Sequence, residues 1–195
     1  MPVIPEDKLE FHFPEADSWY AFKYDEKDKG KFGFYRERIE KIDGMKGVNI
    51  VAGIGPNFPV LTLIEIKDFR EDGKALREKM RTGEIPLEIL QKALNTCSGL
   101  YLGARHQDPL LAADLRAAVL RPFQRIELIF FLVEAPLQPS PQERDTRQKE
   151  NNRRTQRQDM LKKMREKLDP LGIRCALADL VKLPRNCGWT VTSQP

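Results

Sequence analysis

The sequence predicts a mixed α/β fold, a central β-sheet flanked by helices, and three observations lead to it. Apolar runs with strand chemistry occupy 48–54, 59–68 and 124–133. Apolar residues recur at helical spacing from Ile89 to Ala104. Strands come first, helices follow, and the chain then reads strand–helix–strand. The 195 residues suffice for a single domain, 1–195, with a buried core. With 41% hydrophobic and 32% charged residues, the chain is too apolar for disorder and too charged for a membrane protein. Its densest apolar run, Ile126 to Val133, contains Glu127 and is too short to cross a bilayer. Met1 to Glu10 lacks a basic leader, so a soluble, cytoplasmic protein without a membrane partner is expected.

Leu9 to Phe13 alternates apolar and polar residues as a strand does, and aromatic-rich Trp19 to Tyr24 suits a second. The charged stretch Asp25 to Lys31, with Gly30, reads as a loop. Phe32 to Ile42 carries Phe34, Tyr35, Ile39 and Ile42, compatible with one helical face or with a twisted strand. Asp43-Gly44 punctuates the chain before a hairpin: strand Val48 to Ile54, turn Gly55-Pro56-Asn57, strand Pro59 to Asp68. A short helix is expected around Lys74 to Arg81. A longer one of about 18 residues opens near Pro86, a first-turn residue. Asp108-Pro109 reads as an N-cap and first position of a further helix through Leu120. Gln124 to Val133 suits a central strand and Gly172 to Leu180 a last one, with Pro136, Pro139 and Pro141 stiffening the connector between. The tail after Pro184 shows no periodicity.

The net charge of +4 is local. From Gln142 to Lys167 there are ten basic and five acidic residues, a charge of +5, which leaves about −1 for the rest. This basic helix or arm, at about 142–169, has an apolar stripe only in its second half, at Met160, Leu161, Met164 and Leu168. Arg153, Arg154 and Arg157 are its candidate nucleic-acid contacts, with a solvated helix face or a protein-partner surface as the alternatives. Cys97, Cys175 and Cys187 are odd in number and lack a CxxC pair, and His12 and His106 stand in different contexts. Neither a disulfide framework nor a zinc site is expected.

The second hairpin strand raises the functional question. Alternation puts Glu65 and Lys67 on the same face as Leu61 and Leu63, while Thr62, Ile64 and Ile66 take the other. Charges on a strand covered on both sides are costly unless paired or working at a site. Either the strand ends there and the two emerge as a weak solvent pair, or Glu65 holds a divalent cation while Lys67 orients an attacking water.

The segments Lys46-Gly47-Val48-Asn49-Ile50-Val51 and Leu63-Ile64-Glu65-Ile66-Lys67-Asp68-Phe69-Arg70, joined by a hairpin turn, resemble the PD-(D/E)XK nuclease superfamily. More narrowly, they are similar to uncharacterised bacterial proteins with a "VDF…LIEVKDYR"-like core. Tyr24-Asp25, Phe34-Tyr35-Arg36, Gln91-Lys92 and the later Ile126 to Glu134 run also fit that pattern. The resemblance implies a restriction-endonuclease-like core, a Mg²⁺ or Mn²⁺ cofactor, and DNA as the usual substrate. It makes Glu65 a metal ligand and Lys67 the catalytic lysine. Asn49 stands where the superfamily has its metal-binding Asp, so one fixed negative charge is missing from the catalytic set of Glu65, Lys67 and Asn49. Asp25, Glu37 or Glu40 could supply the missing acid, and Gln91 could face the site from its helix.

Two functions follow from these residues. One is Mg²⁺-dependent phosphodiester hydrolysis of DNA by a weakened site. The other is a catalytically inactive nuclease-like protein that binds nucleic acid or a protein partner, a second copy of itself included.

Overall fold

The computed structural model describes residues 2–26, 33–122, 124–137 and 142–194. Among the described residues, eight strands form two sheets. Strands β3 (Trp19–Lys23), β4 (Ile50–Ile54), β5 (Val60–Phe69), β6 (Arg125–Glu134) and β7 (Ile173–Ala178) lie side by side in that order as a five-stranded mixed sheet. Strand β4 runs antiparallel to both β3 and β5, whereas β5, β6 and β7 are parallel. Parallel neighbours need crossovers. Helices α1 (Gly73–Thr82), α2 (Glu84–Arg105) and α3 (Ala113–Val119) lie between β5 and β6, and α4 (Glu143–Leu168) between β6 and β7. Strands β1 (Val3–Glu6), β2 (Leu9–His12) and β8 (Thr190–Ser193) form a small antiparallel sheet with β2 in the middle.

Side-chain alternation builds the layers. On one face of the large sheet, Leu61 and Leu63 of β5 and Leu128, Phe130 and Leu132 of β6 join Ile85, Ile89, Ala93 and Leu100 of α2 and Met160, Met164 and Leu168 of α4. On the other face, Ile64, Ile66, Ile129, Phe131 and Val133 pack with Ile4, Leu9 and Phe11 of the small sheet and with Trp189. The interior strands are thus buried on both sides, and this is why they read as continuous apolar runs. Phe11 meets Phe131 edge-on, with ring centroids 5.1 Å apart.

The expected hairpin is present as β4–β5, with Val51 opposite Leu63. Residues 35–39 form a wide helical turn in which Glu40 N–H bonds to Tyr35 O at 2.9 Å. That turn docks on α2 at its glycines. A methyl added to Gly103 would lie 2.5 Å from Phe34 Cζ and 2.9 Å from Leu111 Cδ1. Asp72 caps α1 by accepting Ala75 N–H at 3.0 Å, and Gly83, at φ 76°, breaks the chain between α1 and α2.

Three expectations are corrected. The helix foreseen from Asp108-Pro109 begins at Ala113, because the Asp108 carboxylate accepts Leu110 N–H at 3.0 Å in a local turn and pairs with Arg38 at 2.6 Å. Strand β7 is not the last, since β8 pairs with β2 from Leu9↔Ser193 to His12↔Thr190. Strand β1 precedes the first strand foreseen, and its Pro5 is accommodated because β1 is an edge. Of the helix and the arm foreseen for the basic segment, the described residues form the helix, Glu143–Leu168. Gly30, Phe32, Pro139 and Pro141 lie outside the described residues. Cys97, Cys175 and Cys187 are free thiols. No helix among the described residues is long and apolar enough to cross a membrane.

Candidate functional site

Glu65 does not sit at a strand end. Strand β5 continues to Phe69, pairing with β6 through Phe69↔Glu134, and this buries Glu65 to 0% exposure in the middle of the sheet. The reading of Glu65 and Lys67 as a weak solvent pair is therefore overturned. Strand alternation aims Glu65 at the helical layer, and α2 answers with a polar column. Glu88, Lys92 and Thr96 recur every four residues and so share one face of the helix.

Lys92 Nζ donates to Glu65 Oε1 at 2.7 Å, with Lys92 itself buried. Lys67 Nζ lies 3.5 Å from the same oxygen and donates to Glu88 Oε1 at 2.7 Å. One turn further along α2, Thr96 Oγ1 donates to Lys92 O at 2.8 Å and accepts Val48 N–H at 3.1 Å. The result is a chain of alternating charge, Glu88–Lys67–Glu65–Lys92, closed through Thr96 against the segment that leads into β4. Glu65 Oε2 is buried with no hydrogen-bond partner among the described residues.

The electrostatics follow from this geometry. Burial pushes the Glu65 carboxyl above the usual carboxylate range, and the Lys92 and Lys67 ammonium groups oppose that rise. Burial works against the Lys67 charge as well, but its bond to Glu88 and the Glu65 carboxylate outweigh it and hold its pKa above the ordinary value. For Glu88, burial is outweighed by Lys67 and then Lys92, so its carboxyl titrates below the usual range.

Asn49 lies at the entry to β4. Extending the Ile50↔Ile64 register by one step sets it beside Glu65. Its side-chain oxygen accepts Ile66 N–H at 2.8 Å, replacing a carbonyl of the sheet ladder. Its amide donates to Glu6 Oε1 at 2.8 Å and to Asp25 Oδ2 at 3.3 Å. Lys23 Nζ lies 2.7 Å from Glu6 Oε2. A neutral amide at position 49 thus bridges two carboxylates and a backbone donor. Aspartate has no hydrogen to donate and would put a third negative charge among them.

The candidate residues divide accordingly. Asn49, Glu65, Lys67 and Asp25 occupy one region of the molecule. Gln91 does not face it: the residue is exposed, and its neighbour Lys92 takes the inward place. Glu37 pairs with Lys41 at 3.2 Å on the helical turn. Asp68 and Arg70 pair at the end of β5, and Arg70 Nη1 also bonds to Ser193 Oγ at 2.6 Å, tying β5 to β8. On α4, Arg153 lies 3.3 Å from Glu134 Oε1 and donates to Ala135 O at 3.0 Å. Arg157 bridges Glu134 and Asp179, the latter at 2.6 Å. Arg154 alone of the three is exposed, bonded to Asn151 Oδ1 at 3.1 Å. Two of the three candidate nucleic-acid contacts, Arg153 and Arg157, are thus ion-paired within the chain.

Glu88 is not singled out by the sequence, and Lys92 enters only as part of the Gln91-Lys92 pair, with no site role of its own. Their four-residue spacing, within a helix whose Ile85, Ile89 and Ala93 are core, is the signal that could have found them. Among the described residues, no group of three or more His, Cys, Asp or Glu side chains is placed to hold a metal ion. The sequence matches no family model, and neither a curated protein nor a solved structure matches the chain.

Proposed function

We propose that this chain is a restriction-endonuclease-like scaffold in which the catalytic-motif positions have become an internal ion network, and that it acts by binding rather than by phosphodiester hydrolysis. The antiparallel β3–β4–β5 unit followed by parallel β6 and β7, with helices between, supports the scaffold reading. So does the gathering of Asn49, Glu65 and Lys67 at adjacent strands.

The observation that carries the non-catalytic reading is the Lys92 ammonium 2.7 Å from Glu65 Oε1. Mg²⁺ requires several oxygen ligands at about 2.0–2.1 Å and tolerates little distortion. Here one Glu65 oxygen faces two ammonium groups, and the Asn49 oxygen is committed to Ile66 N–H. The donor set does not fit a divalent cation, and Lys67 is held towards Glu88. Because Arg153 and Arg157 are ion-paired, α4 offers fewer cations to phosphate, which favours a protein over DNA as the bound partner.

A second reading, a Mg²⁺-dependent nuclease, draws on one observation: Glu65 Oε2 is buried without a partner among the described residues. One experiment separates the two. Supercoiled and linear DNA are incubated with the purified chain and Mg²⁺ or Mn²⁺, beside Glu65→Ala. Equal, background-level cleavage by both proteins is the expected outcome. Cleavage by the native chain that Glu65→Ala abolishes would overturn the binding reading in favour of the enzyme.

A further inference from the structure

The outer face of α2 has a pattern that its inner face does not explain. The exposed residues Glu84, Leu87, Gln91, Leu94, Ser98, Tyr101 and Arg105 follow one another in alternating steps of three and four. That is a 3.5-residue period, which keeps all seven on one stripe suited to a facing helix. Leu87 is 56%, Leu94 40% and Tyr101 48% exposed, and Leu102 beside the stripe is 51% exposed. The core-facing residues Ile85, Ile89, Ala93 and Leu100 lie on the opposite side, so these outer side chains are not needed for the domain's own packing. Three large apolar groups at seven-residue spacing, Leu87, Leu94 and Tyr101, cover about 21 Å of this 22-residue helix.

The order of residues along this stripe is self-complementary when reversed. Laid antiparallel on a second copy with Leu94 on the two-fold axis, Leu94 meets its own counterpart. Leu87 meets Tyr101 and Leu102 of the second copy, and Gln91 meets Ser98. Glu84 then meets Arg105 at each end. A parallel arrangement would instead set Glu84 against Glu84 and Arg105 against Arg105. We infer that α2 is an isologous dimerisation helix, pairing antiparallel with α2 of a second copy of this chain. The charge order selects both the occupant and the direction: a two-fold contact must be complementary to itself, and this stripe is. The inference does not depend on whether the ion network on the inner face is catalytic.

Sedimentation equilibrium of the full chain over a concentration series tests it. The mass is expected to rise from the 22.5 kDa of one chain towards twice that value. Leu94→Glu, at an exposed position, should hold the mass at one chain while the circular dichroism spectrum and melting curve stay native. Glu84→Arg alone, and Arg105→Glu alone, should each weaken self-association by roughly tenfold or more, since every dimer then carries two like-charge contacts. The double variant should recover the native association. A one-chain mass across the whole series would overturn the inference, as would a dimer indifferent to Leu94→Glu. Failure of the double reversal to restore association would overturn the antiparallel pairing.

Discussion

Replacing Lys92 with Met keeps most of the side chain's length and removes only the charge. The ammonium lost is the one 2.7 Å from a carboxylate of 0% exposure. Removing one partner of a buried pair costs about 3–5 kcal/mol, because the other charge is left uncompensated. Lys67 remains 3.5 Å away, so the lower end of that range, about 3 kcal/mol, is expected near neutral pH. Met also supplies dispersion contacts of its own, in keeping with that lower figure. The cost must depend on pH. A carboxyl whose folded pKa is raised binds its proton more tightly in the native state. Its contribution is therefore best retained at low pH and lost as the pH rises through the folded value. Lys92→Met removes the main opposition to that rise, so the variant should recover on acidification as Glu65 takes up a proton. Urea unfolding at about pH 8 and about pH 5 reads both quantities. The paired change Glu65→Gln with Lys92→Met should recover most of the loss. A single variant within about 0.5 kcal/mol of native at both pH values would refute a buried, functioning ion pair.

Three further variants probe Asn49 and the α4 arginines. Asn49→Asp forfeits the hydrogen bonds to Glu6 and Asp25 and adds a third carboxylate. It should lose about 1–3 kcal/mol at neutral pH and less in acid, read as melting temperature across a pH series. Arg157→Ala leaves Glu134 and Asp179 without their shared cation and should cost about 1–3 kcal/mol, whereas Arg154→Ala should stay within about 0.5 kcal/mol. Burial raises the Asp179 pKa, but Arg157 and two backbone donors outweigh it and hold it below the ordinary value. The stability from Asp179 is thus present at neutral pH and lost as the pH falls through the folded value, and the Arg157→Ala penalty should shrink in acid.

The β4–β5 hairpin and β6 were legible because their apolar runs are short, β-branched and bounded by turn residues. The burial of Glu65 was not legible. Its place within β5 depends on how far β6 pairs beyond it, through Lys67↔Leu132 to Phe69↔Glu134, and that register is set by the crossover rather than by local spacing. The inward turn of Lys92 rather than Gln91 was obscured by α2 itself. Leu87, Leu94 and Tyr101 on one side and Ile85, Ile89 and Ala93 on the other make the helix apolar on two faces, so periodicity alone does not say which one meets the sheet. The role of Asn49 depends on Glu6, 43 residues away in a four-residue edge strand interrupted by Pro5. A strand so short leaves almost no periodic signal. The pairing of Arg153 and Arg157 with Glu134 and Asp179 was likewise hidden by a purely local count of charge.

The central claim is that protein ammonium groups, not a metal ion, neutralise Glu65. Titration of the full chain with Mn²⁺, followed by water-proton relaxation, tests it most directly. The account predicts the same weak, non-saturating response from the native chain and from Glu65→Ala. One saturable Mn²⁺ site per chain, present in the native protein and absent from Glu65→Ala, would contradict it.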